Sequence, residues 1–332
     1  MTSTLWLGLG LTLLAGLLSG NCMLPMKFVR RWKWENTWLV FSVVSLVLLP
    51  WALAFAQVER IGALYASLPA PTFAAPLLYG AGWGIAQVLF GLSVARLGLA
   101  LGYAIIVALS AVLGTLVPLF VQNSAVLGTS RGALILGGVF VMVMGIAVSS
   151  WAGRLREGAV KTSGSYASAV AVAVLCGVMA PMLNYAFAFG QPIAEAAVRM
   201  GTSKEAAGYA VWPIALLGGL GPNVGYCLYL LTRNRTWGLF REGWVYEGWM
   251  GGLMGIFWMG AMSLYGVGAV FLGALGTSVG WALFQIFMII TANLSGLLTG
   301  EWKGAPGAAI RGLWGGLVLL AVATVLMALG NA

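Results

Sequence analysis

Apolar residues recur along the chain in runs of about 20, the length with which a helix crosses the hydrocarbon core of a bilayer. Short polar segments rich in Lys, Arg, Gly and Pro separate the runs. The runs are too long and too uniformly apolar for the alternating strands of a membrane β-barrel. The pattern therefore predicts an all-α membrane protein with ten spanning helices, at 5–26, 37–57, 73–94, 99–121, 133–151, 167–189, 208–231, 249–271, 279–299 and 312–329.

The composition supports a membrane protein and excludes a separate soluble domain. Hydrophobic residues make up 61% of the 332 positions and charged residues only 8%, whereas soluble domains carry about 25% charged residues. The first apolar run lacks the basic n-region with which a signal peptide begins, so we expect it to be a retained helix. Function must then be built from the helices and their short loops.

The positive charges predict an orientation. Thirteen of the 17 Lys and Arg residues lie in the loops after predicted helices one, three, five, seven and nine, and the other four lie on the opposite side. Because basic loops face the cytoplasm, both chain termini are predicted to lie outside. Topology thus accounts for the net charge of +9 without a nucleic-acid partner.

The chain lacks the residues of the common catalytic and metal sites. It has no His and no Asp, and its Cys residues are widely spaced in apolar runs, where they are expected to be packing residues: Cys22, Cys176 and Cys227. We therefore expect no cofactor, no metal site and no catalytic residue, and do not expect an enzyme.

Two stretches of the sequence resemble each other at an offset of 175 positions. "WGIAQVLFGLSVARLG" from Trp83 aligns with "WMGAMSLYGVGAVFLG" from Trp258, and Phe90 aligns with Tyr265. We interpret the chain as two five-helix halves, 1–160 and 161–332, the second inverted in the membrane relative to the first. The alternative is that glycine-rich helices resemble one another by composition alone. Inverted halves are typical of secondary transporters, whose substrate site lies between them.

Helix-breaking residues fall in the first helix of each predicted half. Gly20, Asn21 and Pro25 lie at the end of the first run, and Gly177 and Pro181 lie within the sixth. Interrupted helices at corresponding positions point to a transporter site. A simple packing kink is the alternative.

Amide and aromatic side chains recur at helical spacing inside the apolar runs. Hydroxyl groups of a neutral sugar bond to amides, and its C–H face packs on aromatic rings. For any single amide, a structural hydrogen bond between helices is the alternative. Tryptophans near helix ends are expected to be interfacial anchors: Trp32, Trp34, Trp38 and Trp302. The predicted sugar contacts are Asn21, Trp83, Gln87, Phe90, Asn184, Asn223, Tyr226, Trp258, Tyr265, Trp281 and Gln285.

Several motifs resemble those of the rhamnose transporter family, the L-rhamnose-proton symporters of the drug/metabolite transporter superfamily. They are spread along most of the chain: "LPMKFVRRWKWENTW", "GAGWGIAQVLFGLSVARLGLALG", "CGVMAPMLNYAF", "QPIAEAA", "GGLGPNVGYC" and "GLLTGEWKGA". The resemblance implies ten helices in two halves and uptake of a neutral 6-deoxyhexose, L-rhamnose or the related L-fucose, by alternating access. It also implies proton symport across a bacterial inner membrane, with lipid as the surrounding partner.

The sequence departs from this family in its acidic residues. Family members carry an acid near the start of the ninth helix, where this chain reads "LGTSVGW" with Thr277 and Ser278, and none of its glutamates lies in the middle of a predicted helix. Glu195 is the candidate for proton coupling; a solvated acid beside Arg199 is its alternative. The competing function is a small-molecule exporter or facilitator of the same superfamily without proton-sugar symport.

Overall fold

The computed structural model describes residues 3–157 and 165–332, and both ranges contain helices and no strand. The α-helices in these ranges are α1 (Ser3–Asn21), α2 (Trp34–Val43), α3 (Leu49–Gln57), α4 (Ile61–Ser67), α5 (Ala74–Leu97), α6 (Leu99–Gln122), α7 (Ser130–Glu157), α8 (Tyr166–Met179), α9 (Met182–Ala188), α10 (Gln191–Arg199), α11 (Trp212–Arg233), α12 (Trp244–Phe271), α13 (Val279–Leu298) and α14 (Gly307–Asn331).

Ten helical segments among the described residues are long and apolar enough to span a membrane, which confirms the predicted number. Most extend beyond the predicted bounds, as α7 does with Ser130–Glu157 against the predicted 133–151. The reason is that a helix continues past the hydrocarbon into the interface, where polar and charged residues are tolerated. The protein is thus an all-α, multi-pass membrane protein.

The predicted breaks in the first and sixth spans are present. α1 ends at Asn21 and is followed by a 3₁₀ turn, Leu24–Phe28, that contains Pro25. α8 ends at Met179, and α9 begins at Met182, directly after Pro181. Proline has no N–H for the helical ladder and clashes with the preceding turn, so the backbone is interrupted at these points.

The second span contains a break that was not predicted. α2 and α3 are joined by a π-helical turn, Val44–Leu48. Pro50 follows at the second position of α3, where its missing N–H cannot bond to residue 46. A π turn inside a helix is a common accommodation of such a disruption.

The chain divides into two compact units, each built from several separate segments. Unit one comprises Met1–Gly20, Leu89–Pro181 and Gly268–Ala332, and unit two comprises Asn21–Val88 and Met182–Val267. Both units take segments from residues 1–160 and from residues 161–332. The inverted repeat of those two halves stays a prediction.

Unit one is centred on the packing of α7 against α14. Glycines allow the close approach: a Cβ on Gly145 would meet Leu320, and a Cβ on Gly138 would meet Met327. Buried aliphatic side chains, Met142 among them, complete this core. Small residues at the contact are the usual means by which membrane helices approach each other.

In unit two, α2 and α5 both pack against α11, and the short helix α4 packs against α10. The α4 residue Tyr65 donates a hydrogen bond of 2.7 Å to the carbonyl of Ala210. Burial raises the pKa of Tyr65 above its ordinary value.

Candidate functional site

Trp83 and Trp258, the residues paired by the sequence repeat, lie in contact with each other in unit two. Their rings stack with centroids 5.2 Å apart and planes 23° apart, and only 6% of Trp83 and 8% of Trp258 are exposed. Trp83 reaches this position because α5 lies close to α11, where its ring covers Gly219. These two predicted sugar contacts thus cover each other in this structure.

Further rings of α2 extend this stack. Phe41 meets Trp258 edge-on at 6.1 Å, Trp38 lies 4.7 Å from Phe41, and Trp34 stacks on Trp38 at 4.9 Å. We call Trp34, Trp38, Phe41, Trp258 and Trp83 the aromatic row. Trp34, Trp38 and Phe41 are four and three residues apart on α2, so their side chains share one face of that helix.

The structure corrects the expected role of Trp38. It was predicted as an interfacial anchor, but only 8% of it is exposed and its Nε1–H donates to Asn223 Oδ1 at 3.1 Å. The Asn223 amide in turn donates to the Gly219 carbonyl at 2.9 Å. Tyr226, three residues along α11, meets the ring of Trp34 at 6.2 Å. Asn223 therefore fixes the aromatic row to α11.

Gln87 lies one helical turn after Trp83 on α5 and is partly exposed. Within residues 3–157 and 165–332, its amide makes no hydrogen bond with another residue. An amide inside a membrane-spanning helix needs a partner, and water or a polar ligand supplies one where protein does not. This geometry distinguishes Gln87 from the other predicted amides.

Asn184 and Tyr265 form a separate, fully enclosed pair in unit two. Both are 0% exposed, and the Tyr265 hydroxyl donates to Asn184 Oδ1. Phe187 stacks on Trp212 at 4.8 Å and lies 6.1 Å from the Tyr265 ring. The hydrogen bond of this pair thus lies wholly inside the protein.

Three of the predicted contacts belong to unit one. Trp281 Nε1 donates to the Ser110 carbonyl at 3.2 Å, and Gln285 Nε2 donates to the Ser110 hydroxyl at 3.4 Å. Both side chains are 5% exposed. Phe90 meets Tyr103 edge-on at 6.3 Å. Trp281 and Gln285 thus tie α13 to α6.

The remaining two predicted residues lie in unit two. Asn21 is the last residue of α1 and is partly buried. The Glu195 side chain on α10 is 68% exposed, with its carboxylate 4.0 Å from Arg199 one turn away. Such an exposed pair adds little stability.

Two buried glutamates were missed by the sequence reasoning. Glu35 is 4% exposed and accepts hydrogen bonds from Asn234 at 3.0 Å and from Thr236 at 2.8 Å. Glu247 is 1% exposed and accepts bonds from the backbone N–H groups of Arg30 and Arg31. The available signal was their position among aromatic residues at the start of an apolar run, in "WKWEN" and "WVYEGW".

A surface groove at the start of α12 lacks the polar lining of a sugar site. It has a volume of about 620 Å³ and is open and almost wholly apolar, with Trp244, Tyr246 and Trp249 among its lining residues. A sugar needs hydrogen-bonding groups that this lining lacks. An apolar groove on a membrane-spanning helix suits lipid chains.

The described part of the structure has ten apolar spans, and the first and sixth of them are broken. Amides lie among aromatic rings inside those spans. These features define a multi-pass helical membrane transporter. The chain belongs to the L-rhamnose-proton symport protein family, whose model matches residues 1–332. This is a family of transporters rather than enzymes.

Individual relatives agree with this membership. The L-rhamnose-proton symporter of Cronobacter sakazakii is 30% identical over 331 residues, with 96% of each chain covered. That of Mannheimia succiniciproducens is 28% identical over 319 residues, with 93% of each covered. That of Escherichia coli strain SMS-3-5 is 28% identical over 331 residues, with 96% of each covered.

Proposed function

We propose that this protein takes up L-rhamnose, or the related 6-deoxyhexose L-fucose, together with a proton. The family and the relatives supply the substrate class. The observation that carries the proposal for this chain is the contact between Trp83 and Trp258, residues from corresponding positions of the two sequence halves. Alternating access requires that parts of the two halves meet and separate around the substrate.

The aromatic row supplies the apolar surface that a 6-deoxyhexose requires. The C–H face and methyl group of the sugar pack on Trp83 or Trp258, and its hydroxyls bond to amides. Because the two rings stack at 5.2 Å, they must part before a sugar ring lies between them. Gln87 is the best-supported hydroxyl partner, since it is partly exposed and carries no bond within the described chain.

The other predicted contacts are proposals with less support. The side-chain oxygen of Asn223 accepts one hydrogen bond, and its NH₂ group donates one. The oxygen can accept a second bond, and the NH₂ group has a second N–H to donate. A sugar reaches the enclosed groups only if the protein opens around them. The residues in this class are Asn21, Phe90, Asn184, Tyr226, Tyr265, Trp281 and Gln285.

The sequence-derived proposal for the coupled proton is Glu195. Its support is the match of "QPIAEAA" to the family. Its 68% exposure and its distance of 4.0 Å from Arg199 are the features of a solvated surface acid. A coupling group normally lies in a protected site, where protonation changes its bonds.

We propose a bacterial inner membrane as the location, with both termini outside. The distribution of Lys and Arg among the loops supports this orientation. The bacterial relatives support the membrane.

The second candidate function is a facilitator or exporter without proton-sugar symport. It is favoured by the position of the described glutamates, none of which lies in the middle of a candidate span. Transport assays with and without a pH gradient separate it from the first candidate.

The test uses purified protein in liposomes and in detergent. L-rhamnose, L-fucose and D-glucose are compared by counterflow and by the quenching of tryptophan fluorescence. We expect saturable exchange and binding of one deoxysugar, with binding lost in Gln87→Ala because that amide bonds to a sugar hydroxyl. D-glucose is the control. If none of the three sugars exchanges, the sugar proposal is wrong.

A further inference from the structure

A proton-coupled carrier needs a titratable group whose bonds change on protonation, and unit two contains two buried candidates. Of the glutamates whose side chains the structure describes, Glu35 and Glu247 are the buried ones, at 4% and 1% exposure. With no His and no Asp in the sequence, carboxylates of this kind are the natural proton carriers. The question is which of them is placed to act on the sugar site.

Glu247 lies in the first turn of α12 and binds the segment that leads into α2. Its two carboxylate oxygens accept from the Arg30 N–H at 3.3 and 3.2 Å, and Oε1 also accepts from the Arg31 N–H at 3.0 Å. These donors belong to the backbone and cannot turn toward another acceptor. Hydrogen bonds to an ionised carboxylate are about twice as strong as neutral ones, so protonation weakens both bonds together.

The charged groups that face Glu247 are those of the same segment. The side chain of Arg31 and Cγ of Glu247 both lie beside Gly243, just before α12. The Arg30 guanidinium lies 5.0 Å from the centre of the Tyr246 ring. The Tyr246 hydroxyl also donates to the Phe28 carbonyl at 3.2 Å. Both arginine side chains thus belong to the segment whose backbone Glu247 holds.

The bonds of Glu247 connect directly to the aromatic row. Residues 29–33 continue into α2, which carries Trp34, Trp38 and Phe41. α12 carries Glu247 and, about three helical turns later, Trp258. Trp38 and Phe41 of α2 reach Trp258 through ring contacts. A change in the bond between residues 30–31 and Glu247 therefore acts on the two helices that carry the row.

The hydrogen-bond donors of Glu35 differ in kind from those of Glu247. It lies on α2 itself and accepts from the side chains of Asn234 and Thr236, in the loop after α11. Side-chain hydroxyls and amides can reorient and stay bonded to a neutral acid. The contacts of Glu35 therefore hold the loop after α11, and their side-chain donors can stay in place when the acid is neutral.

We propose that Glu247 is the group that binds the coupled proton, and that its protonation loosens residues 29–33 and thereby α2 with its part of the aromatic row. The carboxylate takes one proton from water, becomes a neutral carboxylic acid, and returns the same proton to water later in the cycle. This inference rests on the proposed sugar-proton symport.

The test compares Glu247→Gln with wild type in proteoliposomes. The amide is isosteric with the protonated acid and carries no charge. We expect accumulation driven by a pH gradient to fall by at least about tenfold, a size typical of coupling between two sites. Counterflow of L-rhamnose is expected to persist, and rhamnose affinity is expected to lose its dependence on pH. Glu242→Gln, an exposed acid just before α12, is the matched control, and Glu195→Gln tests the rival assignment.

Each other outcome has a definite meaning. Wild type without counterflow of either L-rhamnose or L-fucose contradicts the proposed function itself. Wild type with counterflow but no rhamnose-induced proton uptake overturns the role of Glu247 and leaves sugar transport standing. Accumulation by Glu247→Gln at the wild-type level also overturns the role of Glu247. Loss of counterflow in a folded Glu247→Gln variant overturns it too. If Glu247→Gln does not fold, Glu247→Asp is tested instead. A pH profile of transport identical to that of the wild type overturns the proposal.

Discussion

At the scale of single residues, the role of a buried amide depends on the partner that it finds. Gln285 donates to the Ser110 hydroxyl at 3.4 Å, while Trp281 donates to the Ser110 carbonyl. Gln87 is partly exposed and makes no such bond within the described ranges. The same residue type is therefore a helix-to-helix connection in unit one and a free hydrogen-bonding group in unit two.

This difference predicts the effect of Gln285→Met. The substitution keeps the side-chain volume but removes the bond to Ser110, so we expect a loss of about 1 kcal/mol in stability. The midpoint of thermal unfolding in detergent should fall, because the bond between α13 and α6 is lost. Gln57→Met, on an exposed glutamine at the end of α3, is the control and should leave the midpoint unchanged. A fall in rhamnose affinity without a change in the midpoint would instead make Gln285 a sugar ligand.

At the scale of helices, glycines set the distance between α5 and α11. A Cβ on Gly80 would collide with the Ala215 carbonyl, and a Cβ on Gly84 would collide with backbone atoms of Gly219. From the other side, a Cβ on Gly218 would collide with the carbonyl of Leu77. Small residues four apart are a common way for two membrane helices to meet backbone to backbone. This approach brings Trp83 over Gly219.

Gly84→Leu should therefore separate the two helices. Because the obstacle is backbone and cannot rotate away, we expect a loss of about 1–3 kcal/mol, or failure to fold. The thermal midpoint and the Trp fluorescence spectrum report the change, since Trp83 moves with α5. Gly225→Ala on α11 is the control: no described atom lies within 4 Å of its added Cβ. Equal destabilisation by both variants would contradict this account of the contact.

At the scale of the whole molecule, the loop charges predict how the chain crosses the membrane. An even number of spans places both termini on one side, and the basic loops place them outside. Alkaline phosphatase fused after Ala332 should be active, and green fluorescent protein at the same position should be dark. Fusions in the loop at 234–243 should behave in the opposite way. Fluorescence of green fluorescent protein fused after Ala332 would show that both termini face the cytoplasm, which contradicts the predicted orientation.

The sequence was sufficient to predict the number of spans and the breaks in the helices next to Pro25 and Pro181. It was insufficient for the contacts of single side chains. Trp38 has the sequence position of an interfacial anchor, yet its partner Asn223 lies 185 residues away. Glu247 and Arg30 are separated by 217 residues, and no local pattern reveals that they meet.

The sequence by itself determined an all-α membrane protein with ten spans, two broken helices and a recognisable family. It did so because each helix in a bilayer satisfies its backbone within its own segment, so hydropathy and proline act locally. Only the tertiary structure decided which rings stack, which amides are engaged and which carboxylates are buried. Those properties depend on packing between residues far apart in the chain, which neither composition nor spacing specifies.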